Sequence, residues 1–293
     1  MRVFVTGASG WVGSALVPEL ISAGHQVLGL ARSDSSAAAI AAKGAEVLRG
    51  DLDDLDALRA GCAGSDGIIH LAFNHDFTQF EASIKADARA IEAIGAAIEG
   101  SGKPLVIASG TPAQPGRVAT ERDEPAPGSP AAGRDANAQA VLDLAERGVR
   151  SSVVRLPRTV HGEGDHHGFI ARLTATARDK GVSGYVGDGS SRWPAVHVQD
   201  TAHLFRLAVE QAPAGSVLHA VADEGVPVRD IAAVIGRHLN LPTASVPAED
   251  FGFLGRILAV DQPASSALTR ELLGWRPVQP GLIEDLDKGH YFA

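Results

Sequence analysis

Cysteine is almost missing from this 293-residue chain, where Cys62 stands alone. A single thiol excludes an intramolecular disulfide and any thiolate metal cluster, and it fits a reducing compartment. Positive charge is also short. The 26 Lys and Arg residues are outnumbered by 35 Asp and Glu, a formal charge of −9. No basic surface therefore marks the chain for nucleic acid or an anionic membrane. No apolar run approaches the roughly 20 residues that a membrane-spanning helix needs. Met1 leads straight into a strand pattern with no room for a targeting segment, so a cytoplasmic protein without nucleic-acid or membrane partners is expected. Tyrosine is scarce too: only Tyr185 and Tyr291 occur.

What is present is ordinary for a soluble globular protein, 45% hydrophobic and 21% charged. The length suits one large domain or a domain with a smaller appendage. Apolar runs predict strands at residues 3–5, 26–30, 46–48, 66–71 and 104–109, with helices at 12–23, 35–43, 55–60 and 80–99 between them. Near-continuous apolar strands alternating with helices call for a parallel sheet covered on both faces and wound right-handed. The fold class is therefore α/β, a Rossmann-type doubly wound parallel sheet with a small C-terminal substrate-binding portion. A Pro-, Gly- and charge-rich stretch at 112–133 reads as a loop, followed by a helix at 134–147 and a strand at 151–156. The rhythm then loosens. Loops are expected at 162–168 and 184–194, helices at 200–211, 228–239, 265–273 and 282–288, and a last sheet strand at 216–222.

The stretch Thr6-Gly7-Ala8-Ser9-Gly10-Trp11-Val12-Gly13 follows the first strand and opens the first helix. That context makes it a dinucleotide-binding turn. Gly7 allows the tight turn, Gly10 lets backbone approach phosphate, and Gly13 permits close helix–strand contact. The helix start then offers unpaired N–H groups and partial positive charge to a pyrophosphate. On this basis residues 1–160, with 195–222 returning to them, form an NADP(H)-binding domain. Residues 161–194 and 223–293 form the smaller substrate-binding portion.

The spacing of those glycines resembles the short-chain dehydrogenase/reductase superfamily, particularly its extended and atypical epimerase/dehydratase-like branch. "RGDLDD" (49–54), "IIHLAF" (68–73), "VVRLPRTVHG" (153–162) and "VHVQDTA" (196–202) resemble successive landmarks of that branch, so the likeness covers most of the chain. It implies that Asp51 and Leu52 contact adenine, that Leu71, Ala72 and Phe73 line the cofactor cleft, and that the segment from Pro157 to Val160 lies against the nicotinamide. Relatives of this kind commonly dimerise through helices such as 80–99 and 134–147, which implies a homodimer.

An NAD-selective site usually ends its second strand with an acid for the ribose 2′-hydroxyl. This strand instead runs into Ala31-Arg32-Ser33. Arg32, with Ser33 beside it, can form a bidentate contact to a 2′-phosphate, so NADP(H) is favoured over NAD(H). Asp34 is placed to N-cap the next helix.

The superfamily's usual catalytic set is a Ser or Thr after the fifth strand and a Tyr-x-x-x-Lys pair on the next helix. Ser109 matches the first, with Thr111 nearby. Neither tyrosine begins a Tyr-x-x-x-Lys. Counting back from "VLDLAERGVRSSVVRLP" puts Pro130 at the tyrosine position and Arg134 at the lysine position. Arg134 can keep a ribose contact, but a guanidinium cannot act as the acid. Substitutes for the tyrosine are His161, which titrates near neutral pH; His75 or Asp76; Tyr185 or Tyr291; or a water working with Ser109. His161, His166 and His167 in "HGEGDHHGF" lack the helical i, i+4 geometry of a metal pair, and no metal is expected. Substrate contacts are assigned to His75, Thr111, Arg192, Trp193 and His197. The expected partner is a small molecule, an apolar ketone or aldehyde reduced with NADP(H).

Overall fold

The computed structural model describes residues 1–74, 79–125 and 132–292. The expectations for His75, Asp76 and Pro130 fall outside them. In chain order the first half contains β1 (Arg2–Thr6), α1 (Trp11–Ser22), β2 (Gln26–Ala31), α2 (Asp34–Ala41), β3 (Glu46–Arg49), α3 (Leu55–Ala63), β4 (Gly67–His70), α4 (Phe80–Ile98), β5 (Pro104–Gly110), α5 (Ala132–Asp143) and β6 (Arg150–Leu156). There follow β7 (Thr159–His161), α6 (Phe169–Lys180), β8 (Ser183–Tyr185), β9 (Arg192–His197), α7 (Val198–Gln211) and β10 (Ser216–His219). The chain closes with β11 (Asp223–Pro227), α8 (Val228–Leu239), β12 (Thr243–Ser245), α9 (Phe253–Leu258), α10 (Ala267–Leu273) and α11 (Leu282–Asp287).

Seven parallel strands form the central sheet in the order β3-β2-β1-β4-β5-β6-β10. Their apolar runs are continuous because alternate side chains supply two cores. Val3 and Val5 enter a core with Leu16 and Leu20 of α1 and Leu204 and Phe205 of α7. Phe4 enters the other, with Leu58 of α3, Ile91 and Ile94 of α4 and Val141 of α5. Each such side chain contributes about 1.5–3 kcal/mol when fully buried. The doubly wound α/β fold expected from the sequence is the observed one.

The remainder builds two small sheets, β11-β9-β7 and β12-β8. A third core lies there, joining Ile170 and Leu173 of α6, Trp193 of β9, Ile231 and Ile235 of α8, and Leu282 and Leu286 of α11. Helix α6 escaped sequence reasoning because only Ile170, Leu173 and Ala177 mark its buried stripe, interrupted by Arg and Thr. The loop expected at 184–194 is entered from both sides by β8 and β9. Both are short strands whose pairing is set by distant segments.

His219 closes β10 with no solvent exposure. Its Nδ1–H donates to the Ser265 carbonyl at 2.8 Å, and its backbone N–H donates to Thr269 Oγ1 at 2.7 Å. Burial pushes the imidazole from its ordinary 6.5 down to about 4. The unfolded chain therefore binds a proton that the folded chain refuses, and stability falls as pH drops through that window. His219→Asn keeps a donor for Ser265 and removes the titration. Urea midpoints measured between pH 7 and pH 4.5 will fall less steeply in the variant than in the parent.

Candidate active site

The chain leaves β1 at Thr6 and turns through Gly7, whose φ is +70°. A Cβ on Gly7 would lie 2.7 Å from the Ala72 nitrogen and 2.8 Å from the Leu71 carbonyl carbon. A Cβ on Gly13 would lie 2.1 Å from the Gly7 oxygen. The protein's own backbone requires both glycines. Gly10 is different: it is exposed, and a Cβ there would meet only the Gly7 oxygen, at 3.2 Å. Helix α1 begins directly after it with no side-chain cap and no acid in its first turn. Outward-facing N–H groups at the positive end of a helix, reached across a missing side chain, fit a pyrophosphate. Ser9, Trp11 and Val12 complete this turn. Because β1 is flanked by β2 on one side and β4 on the other, the turn sits at the switch point where ligands of such sheets bind.

At the exit of β2, Ser33 and not Asp34 caps the next helix. Ser33 Oγ accepts from the Ser36 N–H at 3.2 Å, and Ser36 Oγ accepts from the Ser33 N–H at 3.0 Å. Asp34 is the first helical residue and pairs with Arg49 at 2.7 Å. Arg49 stands opposite Ala31 in the β2–β3 register and also donates to the Ser33 carbonyl at 2.8 Å. Sequence reasoning passed over Arg49, although it opens "RGDLDD". Arg32 projects from this braced turn, exposed, with no hydrogen bond or ion pair among the described residues. Asp51 accepts from the backbone N–H groups of Asp53 and Asp54 at 2.9 and 3.1 Å, shaping the entry to α3. Leu52 packs half-buried against the α3–α4 core.

Beneath the switch point lies a buried polar chain. Thr6 Oγ1 accepts from the Ala72 N–H at 3.2 Å, so its own proton goes to His70 Nδ1 at 2.8 Å. His70 Nε2–H then donates to Asp87 at 3.1 Å, and Asn137 donates to the other Asp87 oxygen at 2.8 Å. Burial works to raise the Asp87 pKa, yet these two bonds hold it below the usual carboxylate range. The sequence signal for this chain was weak: an acid on the buried face of α4. Beside it, Arg134 donates to the Ala108 carbonyl at 3.0 Å and lies 3.9 Å from the centre of the Phe73 ring. Burial lowers its pKa, with Asp87 and Asp135 opposing. The fold thus brings Leu71, Ala72, Phe73, Arg134 and buried Ser109 to one sheet edge.

The model of the NAD dependent epimerase/dehydratase family matches residues 3–220. The chain belongs to this family. An uncharacterized protein of Schizosaccharomyces pombe is 47% identical, covering 100% of both chains. The 4-hydroxy-2-methyl-3-oxo-4-farnesyl-3,4-dihydroquinoline-1-oxide ketoreductase of Stigmatella aurantiaca is 29% identical, over 96% of this chain and 82% of its own. Among solved structures, MoeE5 in complex with UDP-glucuronic acid and NAD is similar with a TM-score of 0.77 at 26% identity. That match covers 98% of this chain and 96% of MoeE5.

Several expected site residues of this family member are placed elsewhere. His161 is 0% exposed, with Nδ1 on Asp285 at 2.9 Å and its ring 5.4 Å from that of His197. It anchors β7 to α11 and has no face from which to protonate a substrate. Trp193 is also 0% exposed and belongs to the third core beside Phe169, so it is not a pocket-lining residue. Arg192 is clamped by Asp261 at 3.0 and 2.8 Å, which matches its charge. His197 caps α7, accepting from the Gln199 N–H at 3.2 Å, and borders a recess of about 360 Å³ with Asp285 and Lys288. Tyr185 and Tyr291 both pack in the third core. Tyr291 donates to Asp165 at 3.1 Å, and burial pushes its hydroxyl pKa up. Thr111 is buried and receives the Gln262 amide on its carbonyl. Pro157 is buried, and the Val160 carbonyl accepts from Trp11 Nε1–H at 2.8 Å.

The glycines separate fold from binding. Gly13→Ala forces α1 away from the turn and will lower thermal stability by about 2 kcal/mol or more. Gly10→Ala will leave the melting temperature close to the parent's while weakening dinucleotide binding at least about 10-fold, read by calorimetric titration.

Proposed function

We propose that the chain is an NADP(H)-dependent oxidoreductase that reduces the carbonyl of a small, fairly apolar ketone or aldehyde. The observation that carries this reading is the uncapped start of α1 after β1, on the same sheet whose β5 carries Ser109 near its end, with Arg32 unopposed at the exit of β2. A nicotinamide cofactor supplies the hydride when bound. Arg32 meets the 2′-phosphate as a bidentate donor, and the one acid at that turn, Asp34, is already engaged by Arg49. Arg134 holds the ribose side of the cleft. The Ser109 hydroxyl donates to the substrate carbonyl oxygen. With both tyrosines and His161 packed away from that edge, and a guanidinium unable to give up its proton, water beside Ser109 delivers the proton. The ketoreductase named among the relatives supports reduction of a ketone.

A second reading has its own observation in favour. A chain without Tyr-x-x-x-Lys suits a non-catalytic NADP(H)-binding sensor. A sugar-nucleotide epimerase or dehydratase is weaker, because Arg192, a cation that could serve a diphosphate, is neutralised by Asp261.

Oxidation of NADPH and NADH by purified protein, screened across ketones, aldehydes and enones, decides between them. Turnover with NADPH on one carbonyl class is expected, and binding without turnover on every class would replace the enzyme with the sensor. Arg32→Ala will weaken NADPH about 10- to 100-fold with little change for NADH. Ser109→Ala will lower kcat about 100-fold or more.

A further inference from the structure

Arg158 lies on the connection between β6 and β7. The chain just before it is joined to the exit of β5, where the Thr111 N–H donates to the Leu156 carbonyl at 2.9 Å. This side chain is therefore next to the edge that carries Ser109. It is mostly buried, yet its one hydrogen-bond partner among the described residues is neutral, the Gln262 side-chain oxygen. Its Nε–H is buried without an acceptor. The Gln262 amide is fixed in that orientation because its NH2 end is bound to the Thr111 carbonyl. The guanidinium lies 5.9 Å from the Phe169 ring centre and 6.0 Å from that of Trp193. The Trp193 Nε1–H is a second buried donor with no acceptor among the described residues.

Other partly buried arginines are satisfied or compensated: Arg150, which also lacks a carboxylate, donates to the Val209 and Ala212 carbonyls at 2.7 and 3.0 Å. Arg192 has Asp261, Arg206 has Glu19 and Glu210, and Arg134 has the field of Asp87 and Asp135. Only burial acts on Arg158, pushing it down to about 10 with no carboxylate opposing. A buried cation left unpaired destabilises the fold unless something pairs with it. A mostly buried guanidinium with an orphaned Nε–H beside the half-buried Phe169 ring calls for an acceptor-rich anion.

We propose that Arg158 binds the carboxylate of the substrate, so that the molecules reduced are oxo acids and not neutral ketones. This rests on the reductase reading above and narrows it. A carboxylate on Arg158 leaves the remainder of the molecule between the Phe169 ring and the β5 edge, with its carbonyl oxygen toward Ser109. The charge fits a monoanion. A sugar-nucleotide diphosphate carries more negative charge than this one cation matches.

The test separates binding from turnover. Protein loaded with NADP⁺ is titrated calorimetrically with pentanoate, which cannot react, and with methyl pentanoate. Pentanoate is expected to bind the parent and to bind Arg158→Gln at least about 10-fold more weakly, with Arg158→Lys between them and the ester unaffected. Arg158→Gln will melt at or above the parent temperature, because an unpaired buried charge has been removed. In steady state, KM for 4-oxopentanoate will rise by a similar factor in Arg158→Gln, while that for its methyl ester will not. Equal pentanoate binding by parent and variant overturns the inference, as does a loss of NADPH affinity in Arg158→Gln, which would assign the residue to the cofactor. If pentanoate binding depends on Arg158 but neither 4-oxo compound is reduced, the carboxylate site stands and the reductase reading fails.

Discussion

The close approach of Gly13 to the Gly7 carbonyl, where a Cβ would lie 2.1 Å from the oxygen, fixes how α1 meets the end of β1. Helix α1 can lie that close to the end of β1 only because no side chain stands between them. Gly7 in turn is pressed on the backbone leaving β4. The two wings of the sheet, β3-β2-β1 and β4-β5-β6-β10, meet at this point. A side chain at either position would swing the helix start away from the switch point, and the positive end of α1 would no longer face the cleft. The same closeness places Thr6 against His70, from which the polar chain to Asp87 and Asn137 ties α4 and α5 to the sheet.

Two kinds of buried charge result. The His70–Asp87–Asn137 chain is satisfied at almost every atom and ties α4 and α5 to β1 and β4. Arg134 is held against a ring and a carbonyl, with carboxylates near enough to balance it. Arg158 is neither satisfied nor balanced, which is the arrangement expected where protein groups have been left for a ligand to complete. The contrast lies within one sheet edge and needs no reference to other proteins.

The first half of the fold was legible because each signal there is local. Val3, Phe4 and Val5 read as a strand whichever face each side chain takes, and the glycine turn announces both the end of β1 and the start of α1. The second half depends on partners far away in sequence. β9 is bordered by β7 and β11, and β8 is completed by β12, so no short window contains the pairing. The site divides in the same way. The need for Gly7 and Gly13, and the place of Arg32 at the end of β2, could be read from spacing, since these rest on backbone geometry and strand ends. His161 was misread because its titratable ring was visible in the sequence while its burial against Asp285 was not. Arg49 and Arg158 went unnoticed for the converse reason: an arginine's meaning depends on whether a carboxylate reaches it, and only the folded chain decides that.

Trp11 has a further consequence. Its indole is carried by the first turn of α1 and is hydrogen-bonded to the Val160 carbonyl on the far wall of the cleft. The element that would receive phosphate and the segment that carries Arg158 are thereby fastened together. Were α1 to shift on seating a dinucleotide, this bond would carry the shift to that wall, and linkage would then couple the two occupancies in both directions. A single indole N–H thus spans the two walls of the cleft.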